Sequence, residues 1–134
     1  MAWTELTDQP DERVRWTRLA DHHDEKIWRG AVLRCRGLYP HEEVVDFLLV
    51  DIPYLDGFGL VVSTGYKAGL LLAVLPEEAQ VPDDKVKAIS ASWLFANWTE
   101  RIYEGGDPHD VYLLAEYRVN QRWFGERDEA TCPA

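Results

Sequence analysis

Two closely spaced apolar runs constrain this chain most. Residues 60–63 and 70–75 are apolar at nearly every position, the pattern of strands covered on both faces. Between them lies Thr64-Gly65-Tyr66-Lys67-Ala68-Gly69, a hairpin connection with glycines where a positive φ is needed. Pro76 stops the second run and an acidic loop follows, through Asp84. Upstream, 27–36 alternates: Ala31, Leu33 and Cys35 share one face, while Val32, Arg34 and Arg36 share the other. Residues 13–18 alternate in the same way, and 21–25 form a polar turn. Between Glu42 and Ile52, apolar residues recur at helical spacing. The run is nonetheless short, β-branched and bounded by turn signals, which predicts a strand from Val44 to Asp51. Pro53-Tyr54-Leu55-Asp56-Gly57 is the turn that ends it.

One segment breaks the period of two. Leu94, Trp98 and Ile102 fall on a single stripe at four-residue spacing, with Ser90 or Ser92 as cap and Gly105-Gly106 as stop. Trp93 and Phe95 flank the stripe, and Asn97, Glu100 and Arg101 face outward. Residues 111–117 read as a last strand. Strands, one helix and a strand, joined by short links, predict an α+β fold. It is a mainly antiparallel sheet of about five to six strands packed against one helix in the C-terminal half. Residues 1–134 are expected to form one domain, with its core over about 13–117 and with 1–12 and 118–134 peripheral.

Charge is the second constraint. The net charge is −10, yet the acids are concentrated where bases are missing. Residues 37–66 hold five acids and no Lys or Arg, and 76–84 and 102–117 hold four each on the same terms. These thirteen acids exceed the net charge, so the remainder is net basic by three. Localised acidity steers a basic partner and repels nucleic acid and anionic membranes. Six Trp and six Tyr are more than a core of this size requires, which places some of them at a surface. No signal-peptide pattern or membrane-length apolar run is present, and Cys35 and Cys132 lack metal-site spacing. They read as reduced thiols of a cytoplasmic protein.

No catalytic pattern emerges. His22-His23-Asp24-Glu25 is a solvated turn whose neighbours point in different directions, so no metal or other cofactor is expected. Asp46 and Asp51 are oddly spaced on one strand and face opposite sides, which rules out a carboxylate pair. Cys35 falls on the apolar face, and the glycine-rich stretches at 57–59 and 65–69 precede no helix that would cradle phosphate. The chain is therefore expected not to be an enzyme.

Several segments together resemble a known family. They are Val45-Asp46-Phe47-Leu48-Leu49-Val50-Asp51-Ile52-Pro53, Ser63-Thr64-Gly65-Tyr66-Lys67-Ala68-Gly69-Leu70, Trp93-Leu94, Asn97-Trp98, Ile102-Tyr103 and Asp110-Val111-Tyr112. Over roughly 27–117 the chain is similar to immunity protein 45 of bacterial polymorphic toxin systems. The resemblance implies a protein that binds and neutralises one cognate toxin domain, with a nuclease as a candidate, in a stoichiometric complex. It carries over no catalytic residues. From the acidic stretches and the hairpin tip, the expected partner contacts are Asp56, Tyr66, Glu77, Glu78, Glu104, Asp107 and Asp110. The alternative is a small-molecule-binding or regulatory module, with an aromatic pocket between sheet and helix lined by Trp93, Trp98 and Tyr112.

Overall fold

The computed structural model describes residues 15–83, 85–119 and 121–125. Arg13, Val14, the first dozen residues and Cys132 lie outside the described residues. The strands are β1 (Trp16–Arg18), β2 (Lys26–Ile27), β3 (Val32–Arg36), β4 (Val44–Ile52), β5 (Gly57–Val62), β6 (Leu71–Leu75), β7 (Ile89–Ser90) and β8 (Tyr112–Leu114). The helix α1 (Ala91–Asn97) runs into a π-helical turn, Trp98–Ile102. Among the described residues, six strands form one antiparallel sheet in the order β1-β8-β3-β4-β5-β6, so the expected α+β fold is present. β2 and β7 pair separately as a short ribbon.

Alternation sets the faces. Leu33, Cys35, Val45, Phe47, Leu49, Phe58, Leu60 and Val62 all point to the helix side and are buried there. The α1 stripe meets them: Leu94, Trp98 and Ile102 are buried, as their spacing predicts. In an α-helix, residues five apart diverge around the axis. The wider π-turn, closed by Tyr103 N–H donating to the Trp98 carbonyl at 2.8 Å, lets Trp98 and Tyr103 face the same sheet. Their rings lie 6.1 and 5.2 Å from that of Phe47. The chain then turns back through Gly106, where an added Cβ would lie 2.9 Å from the Tyr103 ring and 3.0 Å from Trp98 Nε1.

Several expectations need correction. The alternation over 27–36 is not one strand: Gly30, at φ +92°, breaks it, and Ile27 leaves to pair with Ile89. The last strand is only three residues long and inserts between β1 and β3. β6 is not covered on both faces. It is the sheet's edge, and Leu71 and Val74 are each about half exposed.

The β2–β7 ribbon anchors the start of α1. Ser90 caps the helix by accepting the Trp93 N–H at 3.1 Å. Glu25 accepts from the hydroxyls of Ser90 and Ser92 and from the Ser92 N–H at 3.0 Å. Burial works against ionisation of Glu25, but these donors outweigh it and hold its carboxyl below the usual range. A depressed folded-state pKa stabilises the fold above the unfolded pKa and loses that contribution as pH falls through the folded one. Glu25→Gln is therefore expected to lower the melting temperature at neutral pH and to narrow the gap to the parent in acid. Thermal melts across the acid range check this, and a gap that stays constant with pH would refute it.

Candidate functional site

Two local structures present the acids that share one concavity. Asp56 ends the short 3₁₀ turn Pro53–Leu55 in the left-handed region, at φ 51°, a conformation Asp tolerates better than most residues. Its carboxylate lies outside the sheet and accepts a hydrogen bond from Lys87 Nζ. That bond holds the Asp56 carboxyl below its usual range and the Lys87 ammonium above its own, so both are charged at neutral pH. Glu77 and Glu78 open the turn Glu77–Ala79 just after β6. Ala79, fully buried, pins that turn to the core and leaves both glutamates in solvent.

These three acids come together. Asp56, Glu77 and Glu78 line an open concavity of about 520 Å³ with Asp83, and Val81, Pro82 and Val86 form its apolar part. It adjoins a second depression of about 270 Å³, which shares Asp56, Glu77 and Gln80 and adds Leu55 and Val74. Among the described residues Lys87 is the one base lining either, and Arg101, in the π-helical turn after α1, reaches Glu78 at 3.0 Å. The result is a net acidic concavity with a partly apolar lining.

The other four expected contacts do not line this concavity. Tyr66 stands exposed at the hairpin tip, with its hydroxyl donating to the Pro40 carbonyl and its N–H donating to Glu42 Oε1 at 3.2 Å. Gly65 is favoured beneath it, because its φ of +74° lies in a region that L side chains rarely adopt. Glu104 is exposed beyond α1. Asp107 caps the turn Pro108–Asp110. The His109 N–H, donating at 2.9 Å, and then the His109 ring hold its carboxyl below the usual range. Asp110 lies 3.6 Å from Arg36 and lines a depression of about 290 Å³ with Arg34, Arg36 and Tyr112, where bases match acids.

The concavity also holds residues beyond the expected contacts, among them Asp83, Leu55 and Val74. Asp83 lies within an acidic stretch, and its position in a tight turn after Pro82 is the signal for it. Val74 carries no such signal, because its exposure depends on which strand forms the edge, and Leu55 sits in the turn between β4 and β5. The aromatic pocket is corrected too. Trp98 is fully buried and Trp93 flanks the helix under Arg101. Tyr112 sits on the opposite face of the sheet, beneath Arg18. The three do not line one pocket, and Phe47, Trp98 and Tyr103 fill the space between sheet and helix.

Burial pushes the Cys35 thiol up to about 12, so it stays protonated and inert. Among the described residues no group of acids, His and Cys is arranged to hold a metal, and no helix is long and apolar enough to cross a membrane.

Comparison with known proteins identifies an immunity protein. The chain belongs to the immunity protein 45 family, whose model matches residues 19–113, from buried Leu19 to buried Leu113 in β8. No curated protein and no solved structure matches it. Membership supports an immunity function, and such families are generally non-enzymatic.

Proposed function

We propose that the chain neutralises a cognate toxin domain by binding it stoichiometrically, and that the concavity around Asp56, Glu77 and Glu78 receives a basic surface of that domain. The observation that carries this reading is convergence: acids from two separate stretches meet on one concave, partly apolar surface. Acidic side chains speed encounter with a basic surface, and the apolar residues among them slow release. A nuclease suits the role of toxin, because an active site that holds phosphates is itself basic.

The test is co-expression with the toxin domain encoded beside it, followed by stopped-flow association at several salt concentrations. Rescue of growth and a one-to-one complex are expected. Glu77→Lys/Glu78→Lys should slow association by about tenfold or more at low salt and flatten its salt dependence. The same reversal at Glu104 and Asp107, outside the concavity, should change the rate far less. Equal effects at both sites would refute the assignment of this surface, while failure to rescue would refute neutralisation itself.

A further inference from the structure

We propose that β6 is the surface through which two copies of this chain pair, edge to edge, extending the antiparallel sheet across a two-fold axis. Backbone accounting comes first. Leu49 exchanges its N–H and C=O with Ala31 and Gly30, so its neighbours on β4 bond to β5. That alternation leaves Phe58, Leu60 and Val62 to bond β6, as Val62 does in donating to Leu70 and accepting from Gly69. The register places Leu75 and Ala73 opposite Phe58 and Leu60. Val74, and Leu71 beyond the irregularity at Leu60/Val61, are left with backbone groups directed away from the sheet.

Side chains agree with the backbone. Leu71 and Val74 lie opposite Val61 and Gly59, on the face of the sheet away from the helix, and are 53% and 51% exposed. Natural edge strands are kept from pairing by Lys, Pro or inward charges. Leu71-Leu72-Ala73-Val74-Leu75 has none of these, whereas the opposite edge, β1, is three residues long and carries Arg18. An apolar edge of this kind is built to be covered.

Charge selects the occupant. Lys67 precedes β6 and Glu77-Glu78 follow it; among the described residues neither Lys67 nor Glu77 has an ion-pair partner. Two β6 strands running antiparallel set Leu71 against Val74 of the other copy and bring each Lys67 beside the other copy's glutamates. A basic strand from another protein would instead set like charge against Lys67. The inference concerns the chain alone and does not rest on the neutralisation reading, but it shares Val74, Glu77 and Glu78 with the concavity proposed for the toxin, so dimer and toxin would compete for them.

Sedimentation of the full chain over a concentration series tests it. A reversible dimer, weakened by added salt, is expected. Leu71→Lys and Val74→Lys should each abolish it while keeping the parent's far-ultraviolet dichroism and melting temperature, because both sites are half exposed. Lys67→Glu should weaken the dimer, and adding Glu77→Lys/Glu78→Lys should restore it. A parent that is monomeric throughout the series, or a dimer that survives Leu71→Lys, would overturn the proposal; the first result would leave the edge to a strand from another protein.

Discussion

Replacing Trp98 with alanine is expected to cost about 3–5 kcal/mol of folding stability, the range for emptying a large, fully buried aromatic site. Trp98 is 0% exposed and touches both halves of the structure. It ends α1, its ring packs on Phe47 in β4, and its carbonyl closes the π-turn that delivers Tyr103. The cavity cannot collapse easily, because Tyr103 is itself tied to the 37–43 loop, its hydroxyl accepting the Leu38 N–H at 2.7 Å. Trp98→Phe makes the sharper comparison. The indole N–H is buried with no acceptor among the described residues, and an orphan donor of that kind costs about 1–3 kcal/mol. Phenylalanine loses part of the packing but also discards that donor, so its net cost should stay below about 2 kcal/mol. Urea unfolding measures both. A Trp98→Ala cost under about 1 kcal/mol would mean that the helix contributes little to holding the sheet.

Legibility followed the range of the interactions. The faces of β3 could be read directly, because an alternation with one buried face fixes every side chain within the strand. The α1 stripe, its Ser90 cap and the glycine-bearing hairpin at 64–69 were equally local. Pairing order was not. That β8 inserts between β1 and β3, and so leaves β6 as the exposed edge, depends on which strand finds which partner, and no alternation encodes that. The error over Tyr112 has the same origin: in a three-residue strand, parity depends on register, and the register is set by Arg34 across from it. The π-turn also escaped the pattern, since the four-residue spacing of Leu94, Trp98 and Ile102 reads as a plain α-helix.

The candidate site shows this division clearly. Each acidic stretch could be counted from the sequence, but not which acids meet. Asp56 reaches Glu77 and Glu78 because β5 and β6 are neighbours in register, Phe58 opposite Leu75, which brings the turn before one strand beside the turn after the other. Asp107 and Asp110 fall on the far side of the chain's fold-back and are occupied locally, one capping a turn and the other facing Arg36. Only geometry separates the acids that share one concavity from those occupied locally.

The pair across β3 and β4 gives an asymmetric prediction: Arg34→Ala should destabilise the fold more than Asp46→Ala. The two residues are opposite in register on the face away from the helix and form a two-pronged contact, Arg34 Nε to Asp46 Oδ1 at 2.7 Å and Nη2 to Oδ2 at 2.9 Å. The hydrogen bond to Asp46 holds the guanidinium above its usual pKa, so it stays charged throughout. Asp46 is 7% exposed, while the Arg34 side chain keeps 46% of its surface in water and lies over the Trp16 ring at 4.4 Å. Removing Asp46 leaves a guanidinium that water can reach, a loss of about 1–3 kcal/mol, typical of hydrogen bonds to a charged group. Removing Arg34 takes the charged partner from a largely buried carboxylate and uncovers Trp16, which should exceed that loss without reaching the ~3–5 kcal/mol cost of breaking a fully buried pair. The double variant should cost less than the two singles together, because the second change removes the charge that the first left alone. Denaturant titration of the three variants decides the matter: equal single costs that add would show that the two residues act separately and that the pair does not hold β3 to β4.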